Sequence, residues 1–190
     1  PKLSHFRDDF YVTGGTGLAM QLGHRKSVDF DLFSQQKISE ITRKKVINVF
    51  GEKVRFTMDT VNQLTWISDE GVKVTLAYTP YAPLYSLLPA EVPLADINDI
   101  ASDKAFTLGR RGKYRDYIDL VFILQSGIAL RTIIIDAAKR YGAMFDEKLF
   151  LEQLDYMEDI TDTAIEFVAE PLTKMAVHEY LHTKIKEYLR

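Results

Sequence analysis

Four of the six prolines of this 190-residue chain fall within residues 80–93, and they separate two stretches with different hydrophobic patterns. Before this segment, short apolar runs alternate with two helical patterns, whereas after it apolar residues recur at helical spacing almost to the C-terminus. Because proline has no backbone N–H to donate within a strand or helix, residues 80–93 are predicted to form a loop. The chain is therefore predicted to have an α/β core over residues 1–93 and a helical region packed on it over residues 94–190.

The pattern of residues 1–93 predicts a mixed β-sheet with flanking helices, so the predicted fold class is α+β. One short apolar run ends in a glycine turn, and in four further runs apolar and polar residues alternate, which is the period of a strand with one buried face. These strands are predicted at residues 10–13, 28–33, 54–58, 64–66 and 72–78, with helices at 16–24 and 40–50. The later helices are predicted at residues 97–109, 115–126, 129–141, 146–157, 160–169 and 172–189.

The composition excludes several classes of function. Because the chain has no cysteine, it has no disulfide framework, thiolate zinc site or cysteine nucleophile. Its formal net charge of −3 disfavours a uniformly basic nucleic-acid-binding surface, although a local basic groove stays open. No apolar run approaches the roughly 18 residues of a membrane-spanning helix. We therefore expect a soluble, cytoplasmic domain with no membrane association.

The most informative pattern is Gly14-Gly15 followed, after thirteen residues, by Asp29-Phe30-Asp31. A strand through both aspartates would place their carboxylates on one face. Two carboxylates and a bound phosphate suit Mg²⁺ (or Mn²⁺), which prefers oxygen ligands. A glycine turn before a helix starting at Thr16 lets backbone amides approach a phosphate, and the helix dipole favours its charge. The pattern predicts a site for a nucleoside triphosphate and its metal ion; the alternative is a solvated strand edge after an ordinary turn.

Two stretches resemble the signature of the AbiEii/AbiGii toxin-type nucleotidyltransferases, which belong to the polymerase-β-like nucleotidyltransferase superfamily. They are residues 10–19 (FYVTGGTGLA) and residues 24–33 (HRKSVDFDLF). Two later segments, residues 103–105 (DKA) and 111–120 (RGKYRDYIDL), resemble the lysine helix and the Arg-Asp-x-x-Asp-Leu segment of that family. The resemblance covers about residues 8–125 and implies a nucleotidyltransferase-like fold.

The resemblance also implies an activity and a set of site residues. The reaction would be metal-dependent transfer of a nucleotidyl group from a nucleoside triphosphate to an RNA or protein acceptor. The chain would be the toxin of a toxin–antitoxin pair, with an antitoxin protein as partner. The resemblance implies Asp29 and Asp31 as catalytic metal ligands and Asp116 as a further catalytic residue. The nucleotide-binding residues implied by it are Gly14, Gly15, Thr16, Lys104 and Arg111.

One position departs from the pattern of the superfamily, which usually supplies a third carboxylate from a later strand. In this chain the strand over residues 72–78 has Thr75 at the expected place. A threonine hydroxyl is a poor metal ligand and no base at neutral pH. Asp59 or Asp69 could substitute from a neighbouring strand end. The alternative function is therefore a catalytically degenerate nucleotidyltransferase-fold protein that binds nucleotide or a partner protein.

Three further patterns each have two interpretations. The pair His178 and His182 matches a zinc-protease pattern, but no suitable third ligand follows, so a surface helix is favoured. The pair His24-Arg25 either contacts substrate or offsets the dipole at a helix end. A basic turn either grips a phosphate backbone or pairs with nearby aspartates, and its cations are Arg110, Arg111, Lys113 and Arg115.

Overall fold

The computed structural model describes residues 1–110, 112–161, 164–168 and 170–190. The chain forms two compact units. The first unit consists of Pro1–Gly17 and Ser27–Asp96, and the second consists of Leu18–Lys26 and Ile97–Arg190. The sequence prediction places Leu18–Lys26 with the N-terminal core, whereas the structure places this segment with the C-terminal helices.

A mixed sheet with the strand order β1-β2-β5-β4-β3 lies at the centre of the first unit. Its strands are β1 Tyr11–Thr13, β2 Phe30–Ser34, β3 Phe56–Asp59, β4 Gln63–Ile67 and β5 Lys73–Tyr78. Strands β2 and β5 are parallel, and the other neighbouring pairs are antiparallel. Helix α1 (Gly14–Leu22) follows β1 directly, and helix α2 (Glu40–Phe50) begins at a capping box formed by Ser39. The predicted α+β class is confirmed.

Alternating side chains on one face of the sheet form the core of this unit. Leu64 and Trp66 on β4 and Leu76 on β5 have no exposed surface. They pack with Phe6 and Val46, which are also fully buried. Because burial of one large apolar side chain contributes about 1.5–3 kcal/mol, this face fixes the register of the strands. The opposite face of the sheet is thereby left to the polar residues of the same strands.

The proline-rich segment is a loop, as predicted. Residues 80–93 contain no helix and no named strand. At its end the chain runs along the outer edge of β1, where the Val12 N–H donates to the Pro93 carbonyl oxygen over 2.8 Å. The Ala95 N–H in turn donates to the Val12 carbonyl oxygen over 2.8 Å. The loop therefore satisfies backbone groups that an open sheet edge would expose.

The second unit is helical. Its helices are α3 Ile97–Leu108, α4 Tyr114–Gln125, α5 Leu130–Tyr141, α6 Glu147–Asp155 and α7 Lys174–Tyr188, with a short 3₁₀ helix at Gly142–Met144. Fully buried side chains hold them together, among them Ile100, Tyr117, Ile118 and Phe150. Within the described residues, no single helix is long and apolar enough to cross a membrane. Taken together, the segments Tyr114–Gln125 and Leu130–Met144 have the length and apolar composition of a membrane span, but the pair is bent by 117°.

The predicted helix at residues 160–169 is wrong. The described residues of this segment are not helical, and Phe167 forms an antiparallel bridge with Arg25. The Lys26 N–H donates to the Glu166 carbonyl oxygen over 2.8 Å, and the Val168 N–H donates to the His24 carbonyl oxygen over 3.1 Å. Because these backbone groups pair with residues 24–26, they are not available for a helix.

Candidate functional site

The glycine turn and one of the two predicted metal-binding aspartates are neighbours in the first unit. The register of β1 with β2 pairs Thr13 with Asp31, so the residue after Thr13 lies beside the Asp31 side chain. Gly14 has a φ angle of +66°, and a Cβ atom on it would lie 3.1 Å from Asp31 Oδ2. Glycine is therefore required here both for the left-handed backbone and for space next to the carboxylate. Helix α1 begins at Gly14 itself rather than at Thr16, which corrects the predicted start.

Asp29 lies just before the strand rather than on it, because β2 begins at Phe30. The strand-alternation argument for the two carboxylates is therefore wrong for Asp29, while Asp31 lies on β2. Asp29 is held instead by its backbone, because its carbonyl oxygen accepts a hydrogen bond from Thr16 Oγ1. Thr16 Oγ1 also lies 2.8 Å from Ser27 Oγ, and Thr16 is buried. The Thr16 hydroxyl thus binds the segment that carries Asp29.

Thr75 lies next to Asp31, where the third carboxylate was expected. The parallel register of β2 with β5 pairs these two residues, so their side chains lie on the same face of the sheet. Thr75 is buried, and its Oγ1 is 3.4 Å from the Thr65 hydroxyl. Asp59, one possible substitute, accepts a hydrogen bond of 2.7 Å from Arg43 Nε. Among the described residues there is no group of three or more histidine, aspartate or glutamate side chains that could hold a metal ion.

In the second unit, Lys104 lies between two carboxylates of helix α4. Its Nζ is 2.7 Å from Asp116 Oδ1 and 2.6 Å from Asp119 Oδ2. The two aspartates are three residues apart on a helix and therefore share a face. All three residues are buried, and Asp119 has no exposed surface. The lysine that the resemblance implies as a phosphate contact is thus fixed between two acids.

Asp119 also binds the segment that follows helix α1. His24 Nε2 is 2.9 Å from Asp119 Oδ1, Arg25 Nε is 2.7 Å from the same oxygen, and Arg25 Nη2 is 3.0 Å from Oδ2. Both basic residues are buried. His24 therefore contacts an aspartate of helix α4, and neither of its two predicted roles describes this contact. The sequence prediction did not identify Asp119 as a site residue, and its spacing of three from Asp116 was the available signal.

Electrostatics keep Lys104 and Asp119 ionised. Burial alone lowers the pKa of Lys104, but the negative charges of Asp119 and Asp116 outweigh it and raise the pKa above the ordinary value. Burial alone raises the pKa of Asp119, but the Lys104 charge and the hydrogen bonds from His24 and Arg25 outweigh it and hold the pKa well below the ordinary value. Lys104 is therefore cationic and Asp119 anionic at neutral pH.

The basic turn is only partly described, because Arg111 lies outside the described residues. Arg110 donates from Nη2 to the Met144 carbonyl oxygen over 3.1 Å, and its guanidinium lies 3.9 Å from the centre of the Phe106 ring. A Cβ atom on Gly112 would lie 2.8 Å from the Tyr117 hydroxyl oxygen. Burial, and then the Asp116 charge, raise the pKa of Tyr117 to about 12. Arg110 is thus anchored to the second unit, and Gly112 is needed for a close approach.

The two histidines of α7 contact the end of α6. His182 Nδ1 is 2.6 Å from Asp155 Oδ1, and His178 Nε2 is 3.9 Å from the same oxygen. Both imidazoles are substantially exposed. A cavity of about 830 Å³ lies beside them, lined in part by Asp155, Lys174 and His178. It contains none of the residues predicted to bind nucleotide, and the described residues supply no third ligand for zinc.

Comparison with known proteins gives the family. The family model described as nucleotidyl transferase AbiEii toxin, type IV TA system, matches residues 2–183. A relative from Aquifex aeolicus, the uncharacterized protein aq_aa25, is 30% identical over 190 residues, which cover 96% of this chain and 89% of the relative. The match therefore extends through the C-terminal helices and beyond the segments that carry the sequence resemblance.

Two solved structures have a similar fold. MenT4, a nucleotidyltransferase toxin of Mycobacterium tuberculosis, is 16% identical to this chain, and the two superpose with a TM-score of 0.65. The match covers 96% of this chain and 77% of the MenT4 chain. JHP933 of Helicobacter pylori is 15% identical, with a TM-score of 0.53, and the match covers 99% of this chain and 90% of the JHP933 chain. The predicted nucleotidyltransferase-like fold is therefore confirmed. The chain belongs to the family of AbiEii nucleotidyl transferase toxins of type IV toxin–antitoxin systems.

Proposed function

We propose that this chain binds a nucleoside triphosphate with Mg²⁺ (or Mn²⁺) and transfers its nucleotidyl group to an RNA or protein acceptor. The observation that carries the proposal is the contact between the glycine turn and Asp31. Gly14 leaves room next to Asp31 Oδ2 that any side chain would fill. A phosphate-binding turn placed against a carboxylate is the arrangement that a metal-bound triphosphate needs.

The donor set of the first unit fits magnesium. Asp29 and Asp31 are half-buried carboxylates, and Mg²⁺ is commonly held by one or two carboxylates together with substrate phosphate oxygens. Such an ion, when bound, supplies Lewis-acid neutralisation of the charge that develops on the phosphate oxygens. Thr75 adds no negative charge, so the site we propose relies on two aspartates and the substrate.

The other residues have roles that follow from their chemistry. The backbone amides of Gly14, Gly15 and Thr16 lie at the N-terminus of α1, where a helix favours an anion, and we assign them to the triphosphate. Lys104 supplies a fixed positive charge, and Arg111 is assigned to the triphosphate from the resemblance alone. The acceptor hydroxyl oxygen forms a bond to the α-phosphorus and the bond to pyrophosphate breaks. From the resemblance alone, we assign the Asp116 carboxylate to accept the hydroxyl proton.

The biological setting is part of the proposal. Membership of a toxin family of type IV toxin–antitoxin systems supports a role as toxin with a cognate antitoxin protein. A nucleoside triphosphate substrate and an RNA or protein acceptor are both cytoplasmic, so we propose that the chain acts there. Expression of the chain with and without a candidate antitoxin protein tests the toxin role through cell growth.

The transfer itself can be tested directly. The purified protein is incubated with each of the four ribonucleoside triphosphates, labelled at the α-phosphate, together with Mg²⁺, total RNA and cell extract. The wild type is expected to label RNA or protein, and Asp31→Asn is expected not to. Asp8→Asn removes an exposed carboxylate of the same unit and serves as the matched control. Absence of labelled product with all four triphosphates would contradict the proposal.

A second candidate function has its own supporting observation, which is the buried Thr75 beside Asp31. In that case the chain binds nucleotide or a partner protein without catalysis. The substitution Thr75→Asp separates the two candidates. Gain of transfer activity in a previously inactive protein would favour lost catalysis, whereas activity already present in the wild type would exclude it.

A further inference from the structure

We propose that the two aspartates of helix α4 have different roles, with Asp119 a positioning residue that fixes the Lys104 ammonium and Asp116 the carboxylate left free to react. This inference rests on the proposed function, because the reacting group is the nucleotidyl acceptor. It concerns residues of the second unit alone. Both aspartates are buried and both bind Lys104, so their roles must be separated by what else each one contacts.

The hydrogen-bonding capacity of Asp119 is fully used. Its two oxygens accept from His24 Nε2, Arg25 Nε, Arg25 Nη2 and Lys104 Nζ, at distances of 2.9, 2.7, 3.0 and 2.6 Å. An ionised carboxylate has about four lone-pair sites, so four donors saturate it. The residue also has no exposed surface. Asp119 therefore has no oxygen left for a metal ion, a substrate or a proton in transit.

Asp116 differs in this respect. In the part of the chain that the structure describes, the side-chain hydrogen bond to Asp116 comes from Lys104 and involves Oδ1. Among the described residues no side chain donates to its other oxygen, and the Asp116 side chain retains a small exposed fraction of 10%. A general base needs a free oxygen within reach of the proton it accepts. Asp116 meets this condition and Asp119 does not.

The charges of the cluster explain why Asp119 is needed. Lys104 and Arg25 are balanced by Asp116 and Asp119 when the imidazole of His24 is neutral. The Asp119 carboxylate can only accept, so His24 Nε2 is the donor. His24 Nδ1 is buried with no hydrogen-bond partner among the described residues. Without Asp119, two buried cations would be left with one carboxylate.

The expected effect of Asp119→Asn follows from this balance. Burial lowers the pKa of Lys104, and only Asp116 would remain to oppose it, so the pKa is expected to fall. The alkaline limb of the kcat profile should therefore move to lower pH. Asp116→Asn should instead lower kcat by about 10²–10⁴ across the pH range, because it removes the base.

Nuclear magnetic resonance of the lysine side chains tests the positioning role without an activity measurement. The quantity measured is the protection of each ammonium group from hydrogen exchange with water. The Lys104 ammonium signal, assigned with Lys104→Arg, is expected to be protected in the wild type and to lose protection in Asp119→Asn. Arg25→Gln removes a cation from Asp119 but leaves both carboxylates beside Lys104, so its signal should persist. Asp99→Asn is the matched control, because it breaks another buried aspartate–arginine pair, with Arg140, in the same unit.

The outcomes separate the inference from the proposed function. Loss of Lys104 protection in Asp119→Asn but not in Asp99→Asn supports the positioning role, even if the wild type transfers no nucleotide. Unchanged protection and an unchanged kcat profile in Asp119→Asn, with only a lower Tm as in Asp99→Asn, would overturn it. If Asp119→Asn does not fold, Arg25→Gln decides, and loss of the Lys104 signal there would overturn the inference as well.

Discussion

Gly14→Ala is the sharpest perturbation of the contact between the glycine turn and Asp31. At Gly14 the φ angle is +66°. A left-handed conformation costs an L-residue about 1–2 kcal/mol, and each kcal/mol shifts the Tm of a chain of this size by about 2–4 °C. The new Cβ would lie 3.1 Å from Asp31 Oδ2, so the carboxylate must move by a few tenths of an ångström. We therefore expect both a lower Tm and a displaced metal ligand.

Gly23→Ala separates these two effects. Gly23 has a φ angle of +61°, and a Cβ atom on it would have no neighbour within 4 Å. Both variants should therefore lose similar stability in a thermal unfolding assay. Only Gly14→Ala should weaken magnesium-dependent triphosphate binding in calorimetry, by at least about tenfold, which corresponds to 1.4 kcal/mol. Equal triphosphate affinities in the two variants would refute the reasoning.

Two further predictions concern the second unit. Gly112→Ala would place a Cβ atom 2.8 Å from the Tyr117 hydroxyl, which donates to the Gln153 carbonyl oxygen over 2.9 Å, so we expect chemical denaturation at lower urea concentration than for the wild type. An unchanged midpoint would contradict this expectation. Because the pKa of Asp119 in the folded state lies below its ordinary value of 3.8, ionised Asp119 stabilises the fold. This stability is present above pH 3.8 and is lost as the pH falls through the folded-state pKa. Urea unfolding between about pH 2 and 6 should show this loss in the wild type and a smaller one in Asp119→Asn.

The local patterns of the first unit were sufficient to predict most of its structure. Alternating residues in β4 and β5 place Trp66 and Leu76 in the core, and the prolines mark the loop that follows β5. The resemblance puts Thr75 at the position of the third carboxylate, and the register of β5 with β2 places Thr75 beside Asp31. The strands and the loop are predicted from patterns over a few residues, which a single sequence contains.

The features that the sequence prediction missed or placed wrongly have a different physical origin. Residues 160–169 have apolar residues at helical spacing, but the backbone there pairs with residues 24–26, and tertiary contacts override a weak local preference. The cluster around Asp119 joins residues 95 positions apart, such as His24, and no local pattern specifies such a pair. Asp29 was placed on β2 because alternation predicts the interior of a strand better than its first residue.

The most direct test of the proposed site is calorimetric titration of the four ribonucleoside triphosphates, with and without Mg²⁺. It should be carried out on the wild type, Asp29→Asn and Asp31→Asn, with Asp8→Asn as the control. We predict binding of at least one triphosphate that requires Mg²⁺, persists in the control and is lost in both site variants. Triphosphate binding that is unchanged by the loss of Asp29 and Asp31, or absent from the wild type, would contradict the assignment of the site.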